Sequence, residues 1–385
     1  MHIDDDILED MLRWRHDLHA HPEVAFTEVR TSEFVARELA AMGLDVHRGL
    51  AKTGVVATLR TGDGPTVALR SDIDALPIAE STSVPYRSTY EGRMHACGHD
   101  GHTSMLLGAA KQLARSKNFR GTVHFIFQPA EENEGGGRVM IEEGLFELFP
   151  CDAVYGMHNW PMAPMGTLAV NDGPMMAAFD TFEIKITGRG GHAALPETFI
   201  DPFMPVGQIL IALQTLPSRR LAATSPGVVS VTQVHGGDTW NVIPDTVRLC
   251  GTARSFGGSD QDVIENGLKQ IVASIAEAHQ CTATVDYMRR YPATLNTPAE
   301  AQMAADAALA LDQPIEVRRG IKPAMGSEDF GFMLQKRPGA YVFLGSGDSE
   351  HPWPLHSPHY DFNDRVLPLG AAYWCKLVEL ATRRA

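Results

Sequence analysis

The 385-residue sequence predicts an α/β fold: a mostly parallel sheet flanked by helices, with an inserted α+β domain of ferredoxin-like order. Three observations predict it. Strands and helices alternate up to about residue 178. From Thr181 the order becomes β-α-β-β-α-β, and from Pro298 the alternation resumes. The chain is also longer than one ordinary core accommodates. Residues 1–178 and 294–385 are therefore assigned to one domain and residues 179–293 to the insertion.

The elements follow in order. Ile7, Met11, Trp14 and Leu18 recur at helical spacing, with Asp4 to Asp6 placed to complement the helix dipole. Residues 32–42 read as a second helix, stopped by Gly43. Short strands follow at 54–59 and 66–70, the second running into Asp72-Ile73-Asp74. A helix is expected over 103–116. The strand at 122–127 delivers Glu131 and Glu132 just past its carboxyl end, and a strand at 153–156 is expected to deliver His158 likewise. Parallel sheets bind ligands at the carboxyl ends of their strands, so three polar clusters are expected at one edge.

In the insertion, Phe182, Ile184 and Ile186 alternate with Thr181, Glu183 and Lys185, the pattern of a strand with one buried face. A helix over 202–216, strands at 227–234 and 246–254, a helix over 260–279 and a strand at 282–287 complete it. Beyond it come a helix over 298–311, a helical segment near Phe330, a strand at 340–344 and a terminal helix from Leu367.

Charge narrows the function. Lys and Arg number 33 against 47 Asp and Glu, a formal net charge of −14. No basic excess exists to displace counterions from phosphate, which argues against nucleic acid as partner. An anionic membrane surface is disfavoured for the same reason. No apolar run approaches the roughly 20 residues of a membrane helix. The opening Met-His-Ile-Asp-Asp-Asp has neither the basic nor the apolar region of a secretory signal. Five scattered cysteines, at 97, 151, 250, 281 and 375, suit a reducing cytoplasm better than a disulfide framework.

The chemistry lies in Met94-His95-Ala96-Cys97-Gly98-His99-Asp100-Gly101-His102, the densest run of metal-ligating side chains. Thiolate, imidazole and carboxylate together suit borderline divalent metals such as zinc. Spacing alone does not say which of His95, His99 and His102 binds. Glu131-Glu132 adds what hydrolysis needs beyond metal binding. Adjacent residues of an extended segment point in opposite directions, so one carboxylate can ligate while its neighbour moves protons. Most acidic pairs are solvated surface, but this one follows the buried-looking run Phe125-Ile126-Phe127. His158 and the pair His356 and His359 are further candidates, and Asp72 and Asp74 can orient a ligating imidazole. In the insertion, His192 ends a strand on a glycine-rich turn, Asn241 precedes Val242-Ile243-Pro244, and Arg254 can clamp a carboxylate bidentately.

Together these segments resemble the metal-dependent amidohydrolases that include hippurate hydrolase, N-acyl-amino-acid amidohydrolases and auxin-conjugate hydrolases, and more distantly aminoacylase and glutamate-releasing carboxypeptidases. The resemblance runs through Arg15-His16-Asp17-Leu18-His19-Ala20-His21-Pro22-Glu23, Leu69-Arg70-Ser71-Asp72-Ile73-Asp74-Ala75-Leu76-Pro77, the run from Met94 to His102, and Gln128-Pro129-Ala130-Glu131-Glu132. It continues through Gly156-Met157-His158-Asn159 and Gly190-Gly191-His192-Ala193 to Met325-Gly326-Ser327-Glu328-Asp329-Phe330 and Leu355-His356. It implies a zinc-peptidase-like catalytic domain and an inserted domain that serves as lid and dimerisation surface. It implies two divalent ions, zinc first, with manganese, nickel and cobalt as alternatives. Their ligands would be Cys97, His99, Glu132, His158 and His356, with Cys97 bridging where distant relatives use Asp. Glu131 would be the general base, His192 and Asn241 lid groups near the oxyanion or substrate, and Arg254 the anchor for a substrate carboxylate. The substrate would be a small N-acyl amino acid and the assembly a homodimer or dimer-based oligomer. The alternatives are a dinuclear aminopeptidase or dipeptidase, which would want an acidic pocket for an ammonium group, and a non-catalytic metal-binding protein, which would need no spare base.

Overall fold

A computed structural model describes residues 2–132 and 134–383. The chain forms two compact units. The first comprises Met1–Met175, Leu295–Lys322 and Asp329–Ala385; the second comprises Met176–Thr294 and Pro323–Glu328. The sequence assigns the segment 323–328 to the first domain. It groups with the second because the Ala177 N–H donates to the carbonyls of Ala324 and Gly326.

The first unit is built on an eight-stranded sheet. Its order is Asp45–Leu50, Gly54–Arg60, Thr122–Gln128, Thr66–Asp72, Ala153–Pro164, Gly339–Gly347, Thr167–Ala169 and Glu316–Arg318. The four strands from Thr122–Gln128 to Gly339–Gly347 run parallel; Gly54–Arg60 and Asp45–Leu50 join antiparallel on one side, and on the other Thr167–Ala169 joins antiparallel with Glu316–Arg318 parallel to it. Thr122–Gln128 is buried along its whole length, as a parallel strand covered on both faces must be. The helices Asp5–Ala20, His99–Ser116 and Leu367–Ala381 pack on one another, and the latter two also on Thr66–Asp72. Their apolar stripes, including Met11, Trp14, Leu106, Leu113, Tyr373 and Trp374, enter the main core.

Two expectations need correction. The helix after Cys97 starts at His99, not at residue 103, because Gly98 adopts φ +89° and turns the chain into the helix four residues early. A Cβ at Gly98 would also lie 2.5 Å from Asn159 Oδ1 and 2.8 Å from the Tyr360 hydroxyl, so glycine is required twice over. The strand from Ala153 continues to Pro164, so His158 lies inside it rather than past its end. Pairing of Met157, His158 and Asn159 with Val342, Phe343 and Leu344 satisfies the backbone through this polar stretch.

The second unit has a four-stranded antiparallel sheet in the order Val228–His235, Thr246–Ser255, Ala178–Thr187 and Thr282–Tyr291. The helices Phe203–Leu213 and Gly258–Ala278 pack on each other over a core that includes Ile184, Ile186, Ile209, Leu249, Leu268 and Val272. No helix among the described residues is long and apolar enough to cross a membrane.

Candidate metal centre

The first unit brings together six of the side chains singled out above. Ligand atoms of Cys97, His99 and His158 lie within 4.8 Å of one another; so do those of Cys97, Glu132 and His356, and those of His99, Glu131 and Glu132. Cys97 is common to the first two groups. Its Sγ is 3.3 Å from His158 Nε2. The imidazoles are oriented from behind. His99 Nδ1 contacts the Asp74 carbonyl at 2.8 Å, and His158 Nδ1 contacts the Asn159 carbonyl at 2.7 Å. With Nδ1 donating, each ring offers Nε2 to the cluster.

Atoms left over by hydrogen bonding test whether cations fit here. His99 Nε2 is buried with no hydrogen-bond partner, and so is Glu132 Oε1, which sits 3.2 Å from His356 Nε2 without hydrogen-bond geometry. Buried polar atoms without partners are costly unless something else satisfies them. Burial, then the charges of Glu132, Glu131 and Asp72, push the Cys97 thiol well above its usual range. Only a positive charge beside the sulfur would favour the ligating thiolate. His158 is held well below its usual value, by burial and then by His102, which keeps it in the neutral, ligating form. The donor set fits divalent cations. His356 itself holds φ +64°, a backbone state that non-glycine residues reach at a cost, while its N–H donates to the Ala96 carbonyl at 2.8 Å.

Asp72, His99 and His102 also approach one another. Hydrogen bonds already occupy that carboxylate: Asp72 Oδ1 meets His102 Nδ1 at 2.6 Å and Oδ2 accepts from Arg70 at 2.8 Å. His102 Nε2 accepts the Asn159 N–H at 3.0 Å, next to His158. Asp72 thus acts on His102, and through it on the His158 strand, whereas Asp74 acts on His99. His102 is one of the three histidines that spacing leaves open as ligands, whereas the sequence assigns Arg70 no role. Their only signal was crowding: His102 lies one helical turn beyond His99, and Arg70 two residues before Asp72.

A further buried layer ties in the amino-terminal motif. Arg15 bonds Asp361 at 3.0 Å and Asp364 at 2.7 Å, and His19 Nδ1 contacts Asp100 at 2.8 Å and its Nε2 Glu80 at 3.3 Å. Burial disfavours charge on His19, but its hydrogen bonds to Asp100 and Glu80 outweigh this and raise it to about 9. A raised folded value means stability fully present below the unfolded value near 6.5 and lost as pH climbs through about 9. The unfolding free energy of the wild type relative to His19→Gln is therefore expected to fall by about 3 kcal/mol between pH 6 and 10. Denaturant titrations of both proteins check it; a flat difference would sink the assignment.

The remaining candidates lie in the second unit. His192 pairs with Val242 on a two-stranded ribbon, and the Ala193 N–H donates to the Asn241 carbonyl, so His192 and Asn241 are neighbours there. His192 Nδ1 accepts the Ala194 N–H at 3.1 Å, which leaves the proton on the exposed Nε2. The Arg254 guanidinium lies over the Phe179 ring at 4.0 Å and donates to Ser327 Oγ at 3.0 Å. Burial pulls its pKa below the usual value, against the opposing charge of Asp180.

Comparison with known proteins agrees with this geometry. The model of peptidase family M20/M25/M40 matches residues 68–380. The chain is 38% identical to a hippurate hydrolase of Campylobacter jejuni over 97% of this chain and 96% of that one. It is 38% identical to an N-acetylcysteine deacetylase of Bacillus subtilis, over 95% of each. A Bacillus subtilis crystal structure described as a dinuclear metal-binding peptidase of the M20 family superposes with a TM-score of 0.87 at 34% identity, over 99% of this chain and 100% of the other. The chain belongs to peptidase family M20/M25/M40 and is a metal-dependent amidohydrolase.

Proposed function

We propose that the enzyme hydrolyses the amide bond of N-acyl amino acids, releasing a carboxylic acid and a free amino acid. The observation that carries this reading is the convergence of a shared thiol, three imidazoles and the adjoining Glu131 and Glu132 in one unit. Cys97, His99, Glu132, His158 and His356 would hold two divalent cations, zinc by donor chemistry, with manganese, nickel and cobalt compatible with the same mixed set. Such a pair, when bound, supplies Lewis acidity that makes water a nucleophile at neutral pH and polarises the amide carbonyl.

The chain's residues then act in sequence. Glu131 accepts a proton from the attacking water as the new C–O bond forms. It returns that proton to the amide nitrogen as the C–N bond breaks, so the amine leaves neutral. Glu132, adjacent in sequence, is assigned to ligation and leaves the proton shuttle to Glu131. His192 Nε2–H and the Asn241 amide are proposed as donors to the developing oxyanion or to the substrate, from the same chain or a second copy. Arg254, held over the Phe179 ring and bonded to Ser327 Oγ, is assigned to the substrate carboxylate. Arg254→Ala is expected to raise KM about 10- to 100-fold for acyl amino acids and to leave hydrolysis of their carboxamide analogues almost unchanged. Equal losses on both substrates would remove that role.

A homodimer through the second unit is part of the proposal. Val228–His235 is an edge strand, and the neighbouring helix exposes Met204 and, at 76%, Ile211. Nucleic acid and membranes are not proposed as partners, and cytoplasmic residence is compatible with five unpaired cysteines. The deciding experiment strips the enzyme with chelator, restores each metal singly and assays a panel of N-acyl amino acids. Metal-restored release of free amino acid supports the reading, and its absence with every metal refutes it.

A further inference from the structure

Among the described residues, seven non-glycine positions have positive φ, and His356 is one of them. Four of the seven gather around a single buried carboxylate, Glu28. Phe26, with φ +59°, is two residues before it. Ala51 and Lys52, at +49° and +69°, immediately precede Thr53, whose hydroxyl donates to Glu28 Oε2 at 2.8 Å. Ala130, at +56°, donates its N–H to Glu28 Oε1 at 2.9 Å. Glu28 is 0% exposed, and none of the motifs assigned a role to it. Left-handed backbone at a residue with a Cβ persists only where the surroundings over-determine it, and it concentrates at functional sites.

Ala130 immediately precedes Glu131 and Glu132. Its carbonyl accepts the Gly136 N–H at 2.9 Å, closing the loop that carries both acids. Gly136 is obligatory there, because a Cβ would fall 1.8 Å from the Pro129 carbonyl oxygen. On the far side of Glu131, the Glu132 N–H donates to Asp74 Oδ2 at 2.9 Å. Two buried carboxylates, Glu28 and Asp74, thus grip the backbone amides on either side of Glu131.

We propose that Glu28 is a positioning residue for hydrolysis: through the Ala130 N–H it fixes the left-handed turn that aims Glu131 and Glu132. This rests on the reading of Glu131 as base. Its requirement is for an acceptor, not for charge. Glutamine can keep both bonds, since its amide oxygen accepts from Ala130 and its NH₂ donates to the rotatable Thr53 hydroxyl. Alanine removes the acceptor and orphans a buried N–H.

The test compares Glu28→Ala with Glu28→Gln. In the metal-free proteins, hydrogen exchange at the Ala130 amide is expected to accelerate about tenfold or more in E28A and to stay near wild type in E28Q. In the metal-loaded enzymes, kcat of E28A is expected to fall about 10- to 100-fold with KM within about twofold, because a small misplacement of the base costs rate and not affinity. E28Q should remain within about threefold of wild type. Unchanged exchange or unchanged kcat in folded E28A overturns the proposal, and so does an E28Q as impaired as E28A. Should E28A not fold, Thr53→Val decides. It is expected to lower kcat by a few-fold and to speed exchange at Ala130, and no change in either overturns the proposal. A wild type that releases no amino acid, or an E131Q of full activity, would instead defeat the hydrolytic reading while leaving the exchange comparison intact.

Discussion

Glu131→Gln is expected to keep its full metal content and to lose about a thousandfold or more in kcat, in line with the 10²–10⁴ that a positioned acid–base group contributes. Glutamine preserves the shape of a side chain only 7% exposed, whose carboxylate oxygen lies within 4.8 Å of ligand atoms of His99 and Glu132. What disappears is the capacity to hold a proton between water and the leaving nitrogen. Glu132→Gln should behave differently and lose metal first. Metal analysis alongside turnover separates the two. If E131Q shed metal in proportion to its lost activity, Glu131 would be a ligand and the proton shuttle would need another group.

Cys97→Ala is the second large effect. Cys97 Sγ belongs both to the group with His99 and His158 and to the group with Glu132 and His356. Deleting it weakens both positions at once. The expected result is loss of at least about one of two metal equivalents and a fall in turnover of about a thousandfold or more. Cys97→Asp, which keeps an anionic ligand able to bridge, should retain more metal than C97A. Titration of metal-free protein with zinc, read by calorimetry, distinguishes the variants. An unaltered stoichiometry of two in C97A would show that the sulfur is dispensable to the pair.

Much of this was legible in the sequence because the informative residues sit where chain direction changes. Glu131 and Glu132 follow a fully buried strand, and Cys97 and His99 flank a glycine that starts a helix. Other features were not legible because their partners are far apart. Arg70 joins Gln128 and Asp329, and Glu28 joins Thr53 and Ala130; each residue alone reads as an ordinary surface charge. The edge strand Asp45–Leu50 escaped notice because it is mostly exposed and polar, so it carries no alternating apolar signal. Thr167–Ala169 and Glu316–Arg318 are too short for any period to show. His158 was placed correctly in the chain, but its strand was cut short, since polar residues inside a buried strand look like its end.

The order of the sheet has a consequence during synthesis. Ala153–Pro164 finds its parallel neighbour in Gly339–Gly347, nearly two hundred residues later on the nascent chain. Until that segment leaves the ribosome, one side of a largely apolar strand has no backbone partner, while the inserted unit, with its own core, is already translated. Slow elongation through the insertion therefore prolongs exposure of a sticky edge, and premature termination between residues 164 and 339 should yield a product that aggregates.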